Sequence, residues 1–77
     1  MANKKISETL VERFSDEVDG VCKYSNAACE LEASGYRSEA EKMLDMAKAE
    51  MEHAKTLCEM ILKRMSSHVS KAESAIG

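Results

Sequence analysis

Ala33-Ser34-Gly35-Tyr36-Arg37 is the one clear interruption in a sequence otherwise suited to helix. The 77 residues contain no proline, and Ala, Glu, Lys, Leu and Met, the strong helix formers, are abundant. Gly35 can adopt the left-handed conformation that ends a helix at C′. The Ser38-Glu39-Ala40-Glu41 stretch that follows reads as a capping box, with Ser38 as N-cap and Glu41 reaching back, although the helix could begin a residue or two earlier. The expected fold is all-α, one domain over residues 1–77. It is an antiparallel hairpin of helix 1, about residues 5–34, and helix 2, about 37–69, with a frayed tail over 70–77 where the apolar period is lost.

The apolar residues step by three or four, as a buried helical face requires. On helix 1 the stripe is Ile6, Leu10, Phe14, Val18, Val21, Ser25, Ala28 and Leu31, with Ser25 its one polar member; on helix 2 it is Ala40, Met43, Ala47, Ala54, Leu57, Ile61 and Met65, with a single step of seven between Ala47 and Ala54. Arg13, Asp16, Lys23, Lys48, Lys55, Glu59 and Lys63 fall on the outer faces. Two helices cover each other's stripes only in part, and a chain this short seldom builds a core worth more than ~3–5 kcal/mol. A second copy would complete a four-helix bundle, so a homodimer or higher homo-oligomer is expected.

Composition excludes several classes of function. The longest apolar runs are two or three residues, far from the ~20 needed to cross a bilayer, so no membrane role is expected. The net charge is −3 with acids and bases interspersed, and Phe14, Tyr24 and Tyr36 are the only aromatic residues. That is neither the basic stripe nor the stacking surface that nucleic acid requires. Cys22, Cys29 and Cys58 are an odd number and no apolar leader precedes them, which argues for a reducing cytoplasm. They fall near the stripe edges and are read as buried structural thiols, and the methionines as core filler.

The chemistry lies in Glu50-Met51-Glu52-His53 and in Glu17. Glutamate is common in this chain, so a Glu three residues before a His carries little by itself. Position carries more: Glu50 falls inside the helix 2 stripe, His53 at its edge, and Glu17 inside the helix 1 stripe. With the turn centred near Gly35, Glu17 should face His53 and lie within a turn of Glu50. Ionisable groups on apolar faces need compensation, and divalent cations are the strongest available. A lone Glu on one helix with Glu-x-x-His on the next is half of the ligand set with which four-helix bundles hold two metal ions. Two hairpins would supply four carboxylates and two imidazoles, donors that suit iron and manganese alike.

Three further residues bear on this site. Tyr24, two turns after Glu17, is either a hydrogen-bond donor to a ligand carboxylate or an ordinary interfacial tyrosine. Gly20, one turn beyond Glu17, weakens helix 1 by about 1 kcal/mol relative to Ala. It either clears space beside the metals or is a tolerated weak position. Set against the metal reading is a structural or adaptor hairpin that packs on a partner, with the Glu/His cluster incidental.

Glu17, Tyr24, Ala28, Gly35-Tyr36, Ala40, Ala47 and Glu50-x-Glu52-His53-Ala54 together resemble the first helix pair of rubrerythrins and related ferritin-like di-iron proteins, without gaps from about Glu17 to Lys55. The resemblance implies Glu17 as a ligand from the first helix, Glu50 as a bridging ligand and His53 as a terminal ligand. It further implies two iron ions per dimer and oxidation of Fe(II) by oxygen or peroxide. Ferritin-like chains normally carry four helices and a second ligand set, absent here, so the site is expected between subunits. Rubrerythrins also carry an iron centre held by paired Cys-x-x-Cys motifs, and this sequence has none. The bare hairpin is similar to the two-helix subunit of encapsulated ferritins. Its tail, Lys71 to Gly77, does not match the targeting peptide by which those dock on a shell protein, and no electron donor is indicated.

Overall fold

The computed structural model describes residues 5–76, with side chains as far as Ser66. Two helices, α1 (Ile6–Ala33) and α2 (Arg37–Ile76), pack side by side as a hairpin, with no strand among the described residues. The molecule is a slab of 62 × 31 × 13 Å, one helix layer thick. No described helix is long and apolar enough to cross a membrane.

The turn follows from Gly35, whose φ is +87°. The Tyr36 N–H donates to the Leu31 carbonyl at 2.8 Å and the Gly35 N–H to the Glu32 carbonyl at 3.1 Å. These are the paired bonds of a Schellman cap, and they satisfy carbonyls that the end of α1 would otherwise leave open. A Cβ at Gly35 would meet nothing within 4 Å, so the demand for glycine is one of backbone conformation alone. Gly35→Ala should therefore destabilise the hairpin by about 1–2 kcal/mol. Each kcal/mol lowers Tm by roughly 4–8 °C in thermal circular dichroism for a domain this small.

The entry into α2 differs from the capping-box reading. The Ala40 N–H donates to the Tyr36 carbonyl at 3.0 Å, which makes Tyr36 the N-cap and puts Ser38 inside the first turn. The Schellman turn hands the chain back at Tyr36, leaving no room for a later start. Arg37 Nη2 reaches Glu32 Oε1 at 3.2 Å across the turn. At its far end α2 continues to Ile76, past the expected limit near residue 69 and through most of the stretch expected to fray; Gly77 lies outside the described residues. Residues 38–76 contain neither glycine nor proline, so local propensity sustains the helix after the apolar period has stopped.

The interface between the helices is thin. Among the described residues, Leu10 and Ala28 of α1 and Ala40, Ala47 and Ala54 of α2 are buried, together with one charged residue, Glu17. The alanines of α2 recur every seven residues and let the helices approach closely. Phe14, Val21, Leu31, Met43, Leu57 and Ile61 are half-buried, whereas Ile6, Val18 and Met65, assigned to the stripes from their spacing, are exposed. Cys22 and Cys29 are exposed and Cys58 is half-buried, which corrects their reading as buried thiols. Only the centre of each stripe is covered when a single helix packs on it, so residues at the margins face outward.

Candidate metal centre

Glu17 and His53 meet across the helix pair at the level the turn position predicts. His53 Nδ1 lies 3.4 Å from Glu17 Oε2 and 3.9 Å from Glu50 Oε1. The first is a long hydrogen bond and the second an electrostatic approach only. Glu50 and His53 are one turn apart on α2 and share a face, while α1 supplies Glu17 from the opposite side. One donor atom from each of the three lies within 4.8 Å of the others. Donors bound to one small divalent cation at about 2.0–2.2 Å stand about 3–4 Å apart, so modest side-chain adjustment brings this set into coordinating range.

Exposure falls off across the site. The Glu17 side chain is 11% accessible, that of Glu50 25% and that of His53 61%. The cluster is therefore rooted in the helix interface and opens on one face of the hairpin. Met46 and Met60, seven residues before and after His53, are exposed on that same face.

The electrostatics are those of two carboxylates held together. Glu17 is lowered from its ordinary value, first by the hydrogen bond from the Glu50 carboxyl and further by His53 and Arg13, against the opposing effect of burial. Glu50 is pushed up by its hydrogen bond to Glu17, by burial and by the charge on Glu17. A cation placed between the two carboxylates would neutralise both charges at once. The two carboxylates and the imidazole thus fit a hard divalent ion.

Arg13 was placed on the outer face by its spacing, and its side chain is indeed exposed. Its guanidinium nevertheless folds back, with Nη2 3.2 Å from Glu17 Oε1 and Nη1 3.1 Å from Asp16 Oδ2. The signal for this was the i, i+4 separation of Arg13 and Glu17, which makes them neighbours on a helix surface. Tyr24 is half-buried and makes no hydrogen bond among the described residues. Two turns place it about 10 Å along α1 from Glu17.

No curated protein and no solved structure matches this chain. The rubrerythrin family model matches residues 8–76, which takes in Glu17, Glu50, His53 and nearly the full length of both helices. With a helical hairpin that brings two glutamates and a histidine to one point, the chain belongs to the rubrerythrin family of ferritin-like di-iron proteins.

Proposed function

We propose that two or more copies of this hairpin assemble into a ferritin-like bundle that holds two iron ions per dimer between subunits and oxidises Fe(II) with oxygen or peroxide. The observation that carries this reading is the convergence of Glu17, Glu50 and His53 on the open face of the hairpin. Three donors per chain are half of the set such bundles use, so the other half must come from a second copy. Glu17 and His53 would act as terminal ligands and Glu50 as the bridge. Manganese could occupy the same donors, since ligand type does not separate it from iron.

The surface supports assembly on that face. Met46 and Met60 flank His53 and are exposed in the hairpin, so docking a second copy there would bury apolar area around the site and exclude water from it. Val11 and Val18 on α1, with Leu44 and Met51 on α2, are further exposed apolar residues that a larger homo-oligomer would use. Tyr24, which makes no hydrogen bond among the described residues, would bond a ligand carboxylate across the interface.

Iron bound there supplies the electrons that reduce the oxidant. The protein's own contribution would be to hold the ions with the carboxylates of Glu17 and Glu50 and the imidazole of His53, which would leave room for the oxidant to bind. Metal binding would compete with protonation of Glu17 and Glu50. A reducing cytoplasm is the proposed setting, since both Fe(II) and the free thiols Cys22, Cys29 and Cys58 persist in one.

The test is metal content against particle mass. Protein refolded with Fe(II) under anaerobic conditions is expected to retain two iron ions per dimer by elemental analysis, with multi-angle light scattering giving a mass of at least two chains. Less than one iron per dimer would defeat the metal reading and leave the adaptor hairpin in its place.

A further inference from the structure

Gly20 lies one turn beyond Glu17 on α1, and Glu50 one turn before His53 on α2, so Gly20 and Glu50 face each other in the layer next to the Glu17–His53 pair. Nothing in the backbone at Gly20 calls for glycine: among the described residues Gly35 is the one glycine with positive φ. Side-chain space does call for it. A Cβ on Gly20 would lie 2.6 Å from Glu50 Oε2, 3.3 Å from its Cδ and 3.4 Å from its Cγ. The carboxylate of Glu50 fills the volume that any larger residue at position 20 would take.

We propose that Gly20 is a positioning residue for the metal centre. Its missing side chain is the slot that lets Glu50 lie across the helix pair beside Glu17, so that both carboxylates face His53. This rests on the metal reading above and adds to it a residue that touches no ion. A mid-helix glycine weakens α1, and here that weakness has a specific return, the placement of a ligand.

The nature of the clash makes the idea testable. The atoms a new Cβ would meet are the mobile end of Glu50, not backbone, so the fold of Gly20→Ala survives by swinging the carboxylate away. Helix propensity rises at the same time. Ala at position 20 should therefore leave the metal-free Tm unchanged or higher while weakening the metal site, two effects that a purely structural glycine would not combine. Displacing a group that orients a ligand typically weakens metal affinity by about 10–100-fold.

The experiment uses the full chain as wild type, Gly20→Ala, Glu50→Asp and the double variant. Each is dialysed anaerobically against graded Fe(II), with bound iron read by elemental analysis and the metal-free Tm by circular dichroism. Gly20→Ala is expected to bind Fe(II) about ten-fold or more weakly with no loss of metal-free Tm. Glu50→Asp draws the carboxylate back from the slot, so adding Gly20→Ala to it should weaken binding no further than about two-fold, the non-additivity of residues that act through one another. Fe(II) binding by Gly20→Ala within two-fold of wild type overturns the proposal. So does a lowered metal-free Tm that accounts for the loss, or full additivity in the double variant. If wild type itself retains no iron, the metal reading fails first and the Gly20 assignment falls with it, a result distinct from the other three.

Discussion

Alanine at Glu50 or at His53 is expected to abolish iron retention while leaving the hairpin folded. Each chain offers three converging donors, and in the proposed dimer either substitution would remove one donor from each half of the site. What remains is two ligands per chain, too few to hold Fe(II) against water and buffer at micromolar protein. The fold has little stake in either side chain. His53 is 61% accessible and Glu50 25%, and the interface is built from alanines and Leu10 instead. Far-ultraviolet circular dichroism of the metal-free variants should match wild type. The larger difference appears on loading: at free Fe(II) of 100 times Kd, binding to the folded state alone stabilises wild type by about 2.7 kcal/mol. That corresponds to a Tm rise of roughly 10–20 °C for a domain this small, and neither variant should show it. A variant that kept its iron, or one that lost its helix signal along with it, would contradict this account of the site.

The fold was legible because its decisive signals are local. The absence of proline, one glycine between two periodic segments and the step of three or four are properties of short windows, and they placed the turn and both helices. The details that escaped are those set by what the helices meet. Ser38 was a good N-cap by its sequence, but the Schellman bonds to Leu31 and Glu32 had already returned the chain to helix at Tyr36. Residues past 69 lose the apolar period, yet period reports packing and not helicity, so α2 continues. Val18, Ile6 and Met65 lie on the stripes by angle and are exposed, because angle measures which way a residue points and not whether anything is there to cover it.

The meeting of Glu17 and His53 was legible for a different reason. An antiparallel hairpin is a ruler: once Gly35 centres the turn, the height of every residue on one helix fixes its neighbour on the other. Glu17 opposite His53 follows from that alone, and the 3.4 Å approach agrees with it. The same ruler puts Gly20 opposite Glu50, but whether the glycine mattered could not be read from spacing, because the question turned on where the Glu50 side chain lies. Arg13 was missed because outward-pointing arginine is long enough to fold back on a neighbour one turn away.

The metal-free protein should respond to pH in a way that reveals the carboxylate pair. Glu50 has a raised folded-state value, so between its ordinary value of 4.5 and that raised value the folded chain binds more protons than the unfolded one. Its contribution to stability is complete below 4.5 and is lost as pH rises through the raised range. Glu17 is lowered, so its contribution is present above 4.5 and is lost as pH falls through the lowered range. The two contributions overlap around the ordinary value of 4.5. Metal-free wild type should thus lose Tm on going from about pH 4.5 to neutrality. Glu50→Gln keeps a donor towards Glu17 without a charge and should not show that loss, so the two curves separate as pH rises. Iron reverses the dependence for wild type, since the cation competes with protonation of the carboxylates and is bound more tightly as they deprotonate. Tm measured from pH 4 to 8, with and without Fe(II) under anaerobic conditions, gives all four curves. Parallel metal-free curves for wild type and Glu50→Gln would show that the two carboxylates do not oppose each other. The centre would then have no charge conflict for a metal to resolve.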